Sequence, residues 1–112
     1  MCQIGNFQKI LKIPKSTPLV AWRAWDASSL YLRSVYVTTG GKWTRITKRA
    51  SQIPDPHNVF GLWAYRTRSF LRNWRFLGAT QGKVALWGTI AVHDDGYRAQ
   101  FAEILWAEGG GV

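Results

Sequence analysis

Residues 82–106 read GKVALWGTIAVHDDGYRAQFAEILW, and the fold turns on the alternation in this stretch. Val84, Leu86, Gly88, Ile90 and Val92 occupy every second position, the period of a strand with one apolar face. Asp95 and Gly96 then supply the residues a tight hairpin turn needs. Tyr97, Ala99 and Phe101 continue the alternation on a returning strand that runs to Leu105 or Trp106. This C-terminal β-hairpin is expected to be the centre of the sheet.

Working upstream, Gly61 to Arg66 reads as a short strand leaving a loop at Pro54-Asp55-Pro56-His57-Asn58, where two prolines deny backbone donors and force extended geometry. Between that strand and the hairpin, Thr67 to Leu77 changes to a helical period. Phe70, Trp74 and Leu77 fall on one face and Arg68, Arg72 and Arg75 on the other, with Thr67 or Ser69 as cap and Gly78 as stop. Leu19 to Trp25 and Leu30 to Val37 are rich in β-branched and aromatic residues and flank turn chemistry at Asp26 to Ser29, the pattern of another hairpin. After Gly40-Gly41, Lys42 to Lys48 alternates, with Trp43, Arg45 and Thr47 on one side and Thr44 and Ile46 on the other. The expected class is α+β: a small, mostly antiparallel sheet with one basic amphipathic helix and the C-terminal hairpin. Residues 1–18 read as an N-terminal arm, 19–106 as the single domain and 107–112 as a flexible tail.

Composition narrows the class of partner. The 112 residues are 46% hydrophobic and 14% aromatic, enough for one modest core without disulfides or metals. Fifteen Lys and Arg against six Asp and Glu give a net charge of +9, a positive field that favours an acidic partner. Nucleic acid, a nucleoprotein complex and an acidic protein surface all qualify, and charge does not choose among them. The single Cys2 allows no intramolecular disulfide and no Cys-rich zinc site, which fits a cytoplasmic setting. The early run Ile10, Leu11, Ile13 is broken by Lys9, Lys12 and Pro14, too short and too charged for a signal-peptide core or a membrane span.

Two constellations carry candidate chemistry. Arg68, Arg72 and Arg75, extended by Arg66, would form one guanidinium row able to follow a phosphate backbone. A solvated face that keeps a small domain soluble has the same appearance. The second is the interleaving of Trp and Arg over Trp22, Arg23, Trp25, Tyr31, Arg33, Trp43 and Arg45, since Trp rings offer stacking platforms to unpaired bases while arginines hold phosphates. Most tryptophans in so small a domain are expected in the core, with Trp43 the best candidate for exposure because its strand partners are polar. His93-Asp94-Asp95 is better explained as a turn than as a metal site, because three consecutive residues diverge. No nucleophile elbow, carboxylate pair or phosphate-binding loop is present in the sequence, so no enzyme, cofactor or metal is expected.

The pattern G-x-V-x-L-W-G followed by H-x-x-G-Y-R-A, here Gly82 to Gly88 and His93 to Ala99, resembles one found in small uncharacterised bacterial and phage proteins. That resemblance takes in Gly61 to Ala64, covers about the second half of the chain and implies a bacterial or mobile-element setting. A fainter likeness is to the ADP-ribosyltransferase fold, a Gly-aromatic-Ala strand leading to a helix and a strand ending in Gly. It implies that Arg23 would grip a dinucleotide, while Glu103 is the only candidate for the catalytic acid. The expectation carried forward is a non-enzymatic basic protein engaging nucleic acid or a nucleic-acid-handling complex through Arg33, Trp43, Arg45, Arg66, Arg68, Arg72 and Arg75. The alternatives are a phage-type inhibitor of a bacterial defence nuclease, similar to anti-CRISPR proteins, and a transferase. Oligomeric state is left open.

Overall fold

The hairpin is longer than its alternation indicates. In the computed structural model, which describes residues 4–26, 32–34, 42–43, 48–50, 52–57, 60–69 and 79–107, its strands are Ala79–His93 and Gly96–Ala107. In chain order these are β7 and β8, and they pair antiparallel from Gly82↔Ala107 to Val92↔Tyr97. Fifteen residues of straight strand would reach about 50 Å at ~3.3 Å per residue. The longest dimension of the molecule is 33 Å, so β7 has to bend.

It bends where the pairing slips. Trp87 faces Phe101 and Ile90 faces Ala99, which leaves Gly88 and Thr89 opposite Gln100 alone, a β-bulge. Gly88 takes a φ of +82°, and the Thr89 N–H donates to Gln100 Oε1 at 3.0 Å. A Cβ on Gly88 would stand 2.7 Å from that oxygen and 2.8 Å from the Phe101 ring. Gly88→Ala is therefore expected to cost about 2–3 kcal/mol, combining left-handed backbone strain with the clash. Urea unfolding should show a lower midpoint at unchanged slope; an unchanged midpoint would mean the bulge accepts an ordinary residue.

The other edge of β7 is shared by two strands lying end to end. Phe7–Ile13 (β1) pairs with His93 back to Gly88, and Leu19–Asp26 (β2) pairs with Leu86 back to Ala79. The segment expected as an arm thus contains β1. Leu62–Tyr65 (β6) and Lys48–Arg49 (β5) pair with the far edge of β8. Trp22 of β2 in turn pairs with Tyr65 of β6, so the sheet closes on itself in the ring β2–β7–β8–β6. Leu32–Ser34 (β3) extends the end of β2 and Lys42–Trp43 (β4) pairs with β3.

Small residues fill this narrow ring. Its buried interior is Ala21 from β2, Leu62 and Ala64 from β6, Val84, Leu86, Ile90 and Val92 from β7, and Tyr97, Ala99, Ala102 and Ile104 from β8. Five alanines, the four above that start or share this set and Ala107 at its end, are at most 7% exposed; bulkier side chains there would hold the strands apart. Outside the ring, Ile4, Ala24 and Tyr65 form a second cluster with Trp22 and Trp63.

The expected α+β class is corrected to a closed antiparallel β-sheet: among the described residues there are eight strands and no α-helix. Of the segment expected as a basic helix, 70–77 lies outside the described residues, and Thr67 to Ser69 form a bend and a short 3-10 turn. The two hydroxyls read as helix caps lie 2.8 Å apart and hydrogen-bond to each other. Strand β7 begins at Ala79, earlier than the alternation from Val84 indicated.

Candidate nucleic-acid interface

The outward face of β7 begins with Lys83, which alternates with the inward Val84. In register it lies between Trp22 on β2 and Trp106 on β8, so three adjacent strands present Trp, Lys and Trp in one row. The two indoles meet edge to face at 6.4 Å. The Lys83 Nζ stands 5.2 Å from the Trp22 ring centre. Arg68 covers both rings, with its guanidinium carbon 5.3 Å from Trp22 and 5.6 Å from Trp106, and its Nε–H donates to Gln81 Oε1 at 3.1 Å. Trp106 is 44% exposed, Trp22 is half-buried, and Lys83 and Arg68 are exposed. Each cation–ring contact at such a surface is worth about 0.5–1 kcal/mol, enough to hold the cluster in order without burying it.

Four residues further along the same face, Trp87 and Phe101 are paired in register and stack at 5.9 Å. Lys15 lies over Trp87 at 5.4 Å and Arg49 over Phe101 at 6.0 Å. Trp87 is buried beneath these neighbours. Glu103, opposite Ala85, stands between the two clusters.

The arginines singled out in the sequence part company. Arg66 is a staple of the β7–β8 turn. Its Nε–H donates to Asp94 O at 2.9 Å, Nη1 to the Tyr97 hydroxyl at 2.9 Å and Nη2 to His93 O at 2.8 Å, with the guanidinium carbon 4.9 Å from the Tyr97 ring centre. Arg68 alone of the expected helical row is among the described residues; Arg72 and Arg75, like Arg45, lie outside them. Arg33 and Trp43 sit on β3 and β4, Arg33 opposite Lys42 and Trp43 opposite Leu32. Arg23 is buried and donates to Trp63 O. It shares the inward parity of Ala21, whereas Glu103 lies on the outer face.

Several residues of the G-x-V-x-L-W-G and H-x-x-G-Y-R-A stretches hold the fold together. Gly88 makes the bulge and Tyr97 holds Arg66. Gly96 passes so close to Ala64 O that a Cβ would come within 2.3 Å. Arg98 is only 2% exposed; its Nε–H donates to His93 Nε2 at 3.0 Å, Nη1 to Phe60 O and Nη2 to Asp55 O, both at 2.9 Å. Burial pushes the Arg98 pKa down and the Asp55 charge pulls it back. Because His93 Nε2 accepts, its Nδ1 carries the proton and donates to Gly5 O at 2.9 Å. Asp94 accepts from Gln8 Nε2 and the Asn6 N–H, which hold its carboxyl below the usual 3.8. The run His93-Asp94-Asp95 is thus occupied in fastening the N-terminal segment to the turn.

Sequence reasoning missed Lys83 and Trp106. Lys83 was legible as the polar alternate of Val84, but pairing it with Trp106 depends on the register shift between Lys83 and Val84, which alternation does not reveal. Comparison with protein-family models, curated proteins and solved structures yields no match.

Proposed function

We propose that this chain is a non-enzymatic binding protein for single-stranded nucleic acid, with Trp22, Lys83, Trp106 and Arg68 as its platform. The observation that carries the reading is a partly exposed Trp pair with two cations against its rings on the outer face of a closed sheet. Unpaired bases stack on indole and on guanidinium planes, while lysine and arginine meet the phosphates. A duplex hides its base faces and would gain only the charge term. The +9 net charge adds long-range attraction to any such strand.

Titration with an oligothymidylate, followed by quenching of tryptophan fluorescence, tests this. Binding should weaken steeply with salt, and Trp106→Ala should cost about 1–3 kcal/mol, the value of one base–aromatic stack. Binding that is absent, or that ignores both salt and Trp106, overturns the reading and turns attention to a protein partner.

A further inference from the structure

We propose that the shallow groove at the β7 bulge is a second contact point for the same single strand, receiving one nucleotide unit whose phosphate lies against Lys12 and Lys15. This rests on the reading of Trp22, Lys83, Trp106 and Arg68 as a platform for single-stranded nucleic acid. The groove has a volume of about 440 Å³ and is lined by Lys12, Ile13, Pro14, Gly88, Thr89 and Gln100. That is the size of a small-ligand site, and its composition, apolar walls with a cation, suits a base and its phosphate.

Position makes it part of the same track. Lys83 and Trp87 share the outward face of β7, and the groove opens at Gly88 and Thr89, five to six residues beyond Lys83. At ~3.3 Å per residue the separation is roughly 17–20 Å. A strand stacked as in a duplex advances ~3.4 Å per nucleotide, so the two points lie about five to six nucleotides apart. Lys15 over Trp87 stands beside the groove and adds a second cation. Gln100 is oriented by the bond its amide oxygen accepts from the Thr89 N–H, which leaves its amide nitrogen as the donor end. Glu103 stands between the two points, with Arg49 over Phe101 beyond it.

The structure thereby specifies a length dependence. Dye-labelled oligothymidylates of about four and about twelve nucleotides, within the site sizes of single-strand binders, are titrated by anisotropy near 0.15 M salt, where the Debye length of about 8 Å isolates the two points from one another. The longer oligomer should bind wild-type protein about a hundredfold more tightly than the shorter, of which roughly tenfold is the statistical gain of the extra registers on about twelve nucleotides. Lys12→Glu with Lys15→Glu should reduce the gain to that roughly tenfold statistical share and leave the short oligomer within about twofold. Should this pair melt early, Lys12→Gln with Lys15→Gln carries the same comparison. A length gain that stays near about a hundredfold in both pairs, or that is only statistical in wild-type protein, overturns the groove while leaving the platform standing; failure of wild-type protein to bind either oligomer overturns the platform as well.

Discussion

Arg98→Ala is expected to lower the melting temperature by roughly 15–25 °C. Arg98 is the largest fully buried side chain among the described residues, and its guanidinium serves three acceptors from three parts of the chain: His93 Nε2 on β7, Phe60 O and Asp55 O. Truncation leaves all three without this donor, His93 Nε2 in a buried position and the two carbonyls in part-buried ones. Each stranded acceptor costs about 1–3 kcal/mol, and the lost packing of the buried alkyl stem adds to that. A domain of this size has about 5–15 kcal/mol in total, so the substitution removes a large share of it. Arg98→Lys should recover only part of the loss, because an ammonium is a point charge and cannot fork to His93 and two carbonyls together. Thermal unfolding followed by circular dichroism decides the matter: a midpoint within a few degrees of wild type for Arg98→Ala would show that this hub is dispensable.

Reversing both platform charges, Arg68→Glu with Lys83→Glu, is expected to weaken oligothymidylate binding by about a hundredfold at low salt. Both side chains are exposed and lie outside the core, so the fold should be retained. The diagnostic quantity is the salt slope. Each phosphate contact on a single strand contributes about 0.7 to the dependence of log K on log salt, so removing two should flatten the slope by about 1.4. A uniform loss of affinity with an unchanged slope would mean that these cations act on the indoles and not on phosphates.

The hairpin was legible because one face of β7 is buried inside the ring, and burial on a single face writes itself into sequence as alternation. Val84, Leu86, Ile90 and Val92 carried that signal. Its ends were less legible. Residues 79–83 include Gln81 and Gly82, which are buried without being hydrophobic enough to announce a strand. Strand β1 escaped notice for the opposite reason: most of its residues are exposed or half-buried and lysines interrupt it, so no apolar period marks a strand paired along one edge only. The α+β expectation arose from three apolar residues at helical spacing, Phe70, Trp74 and Leu77, with Arg68, Arg72 and Arg75 opposite them, of which only Arg68 lies among the described residues. Spacing of that kind registers pattern without knowing what surface is available, and Arg68 is instead set against Trp22 and Trp106 across two strands.

Half of the candidate site was readable as chemistry and none of it as geometry. Trp22 was singled out for stacking and Arg68 for phosphate contact, yet they are 46 positions apart, and the closure of the sheet brings them together. Arg66 illustrates the converse. Its charge fitted a phosphate-binding row equally well, and its hydrogen bonds to Asp94, Tyr97 and His93 commit it to the turn.

The end-to-end placement of β1 and β2 along β7 separates two roles that a chain connection usually combines. Each strand takes its register from β7 independently, Ile13 opposite Gly88 and Leu19 opposite Leu86, so residues 14–18 transmit no alignment between them. Beyond Pro14 and Lys15, which face the groove and Trp87, that connector is a spacer whose length can drift while both flanking strands stay in place. Lys12 and Ile13 at the end of β1 and Pro14 at the start of the connector line the groove, so a segment released from setting register borders the proposed binding surface.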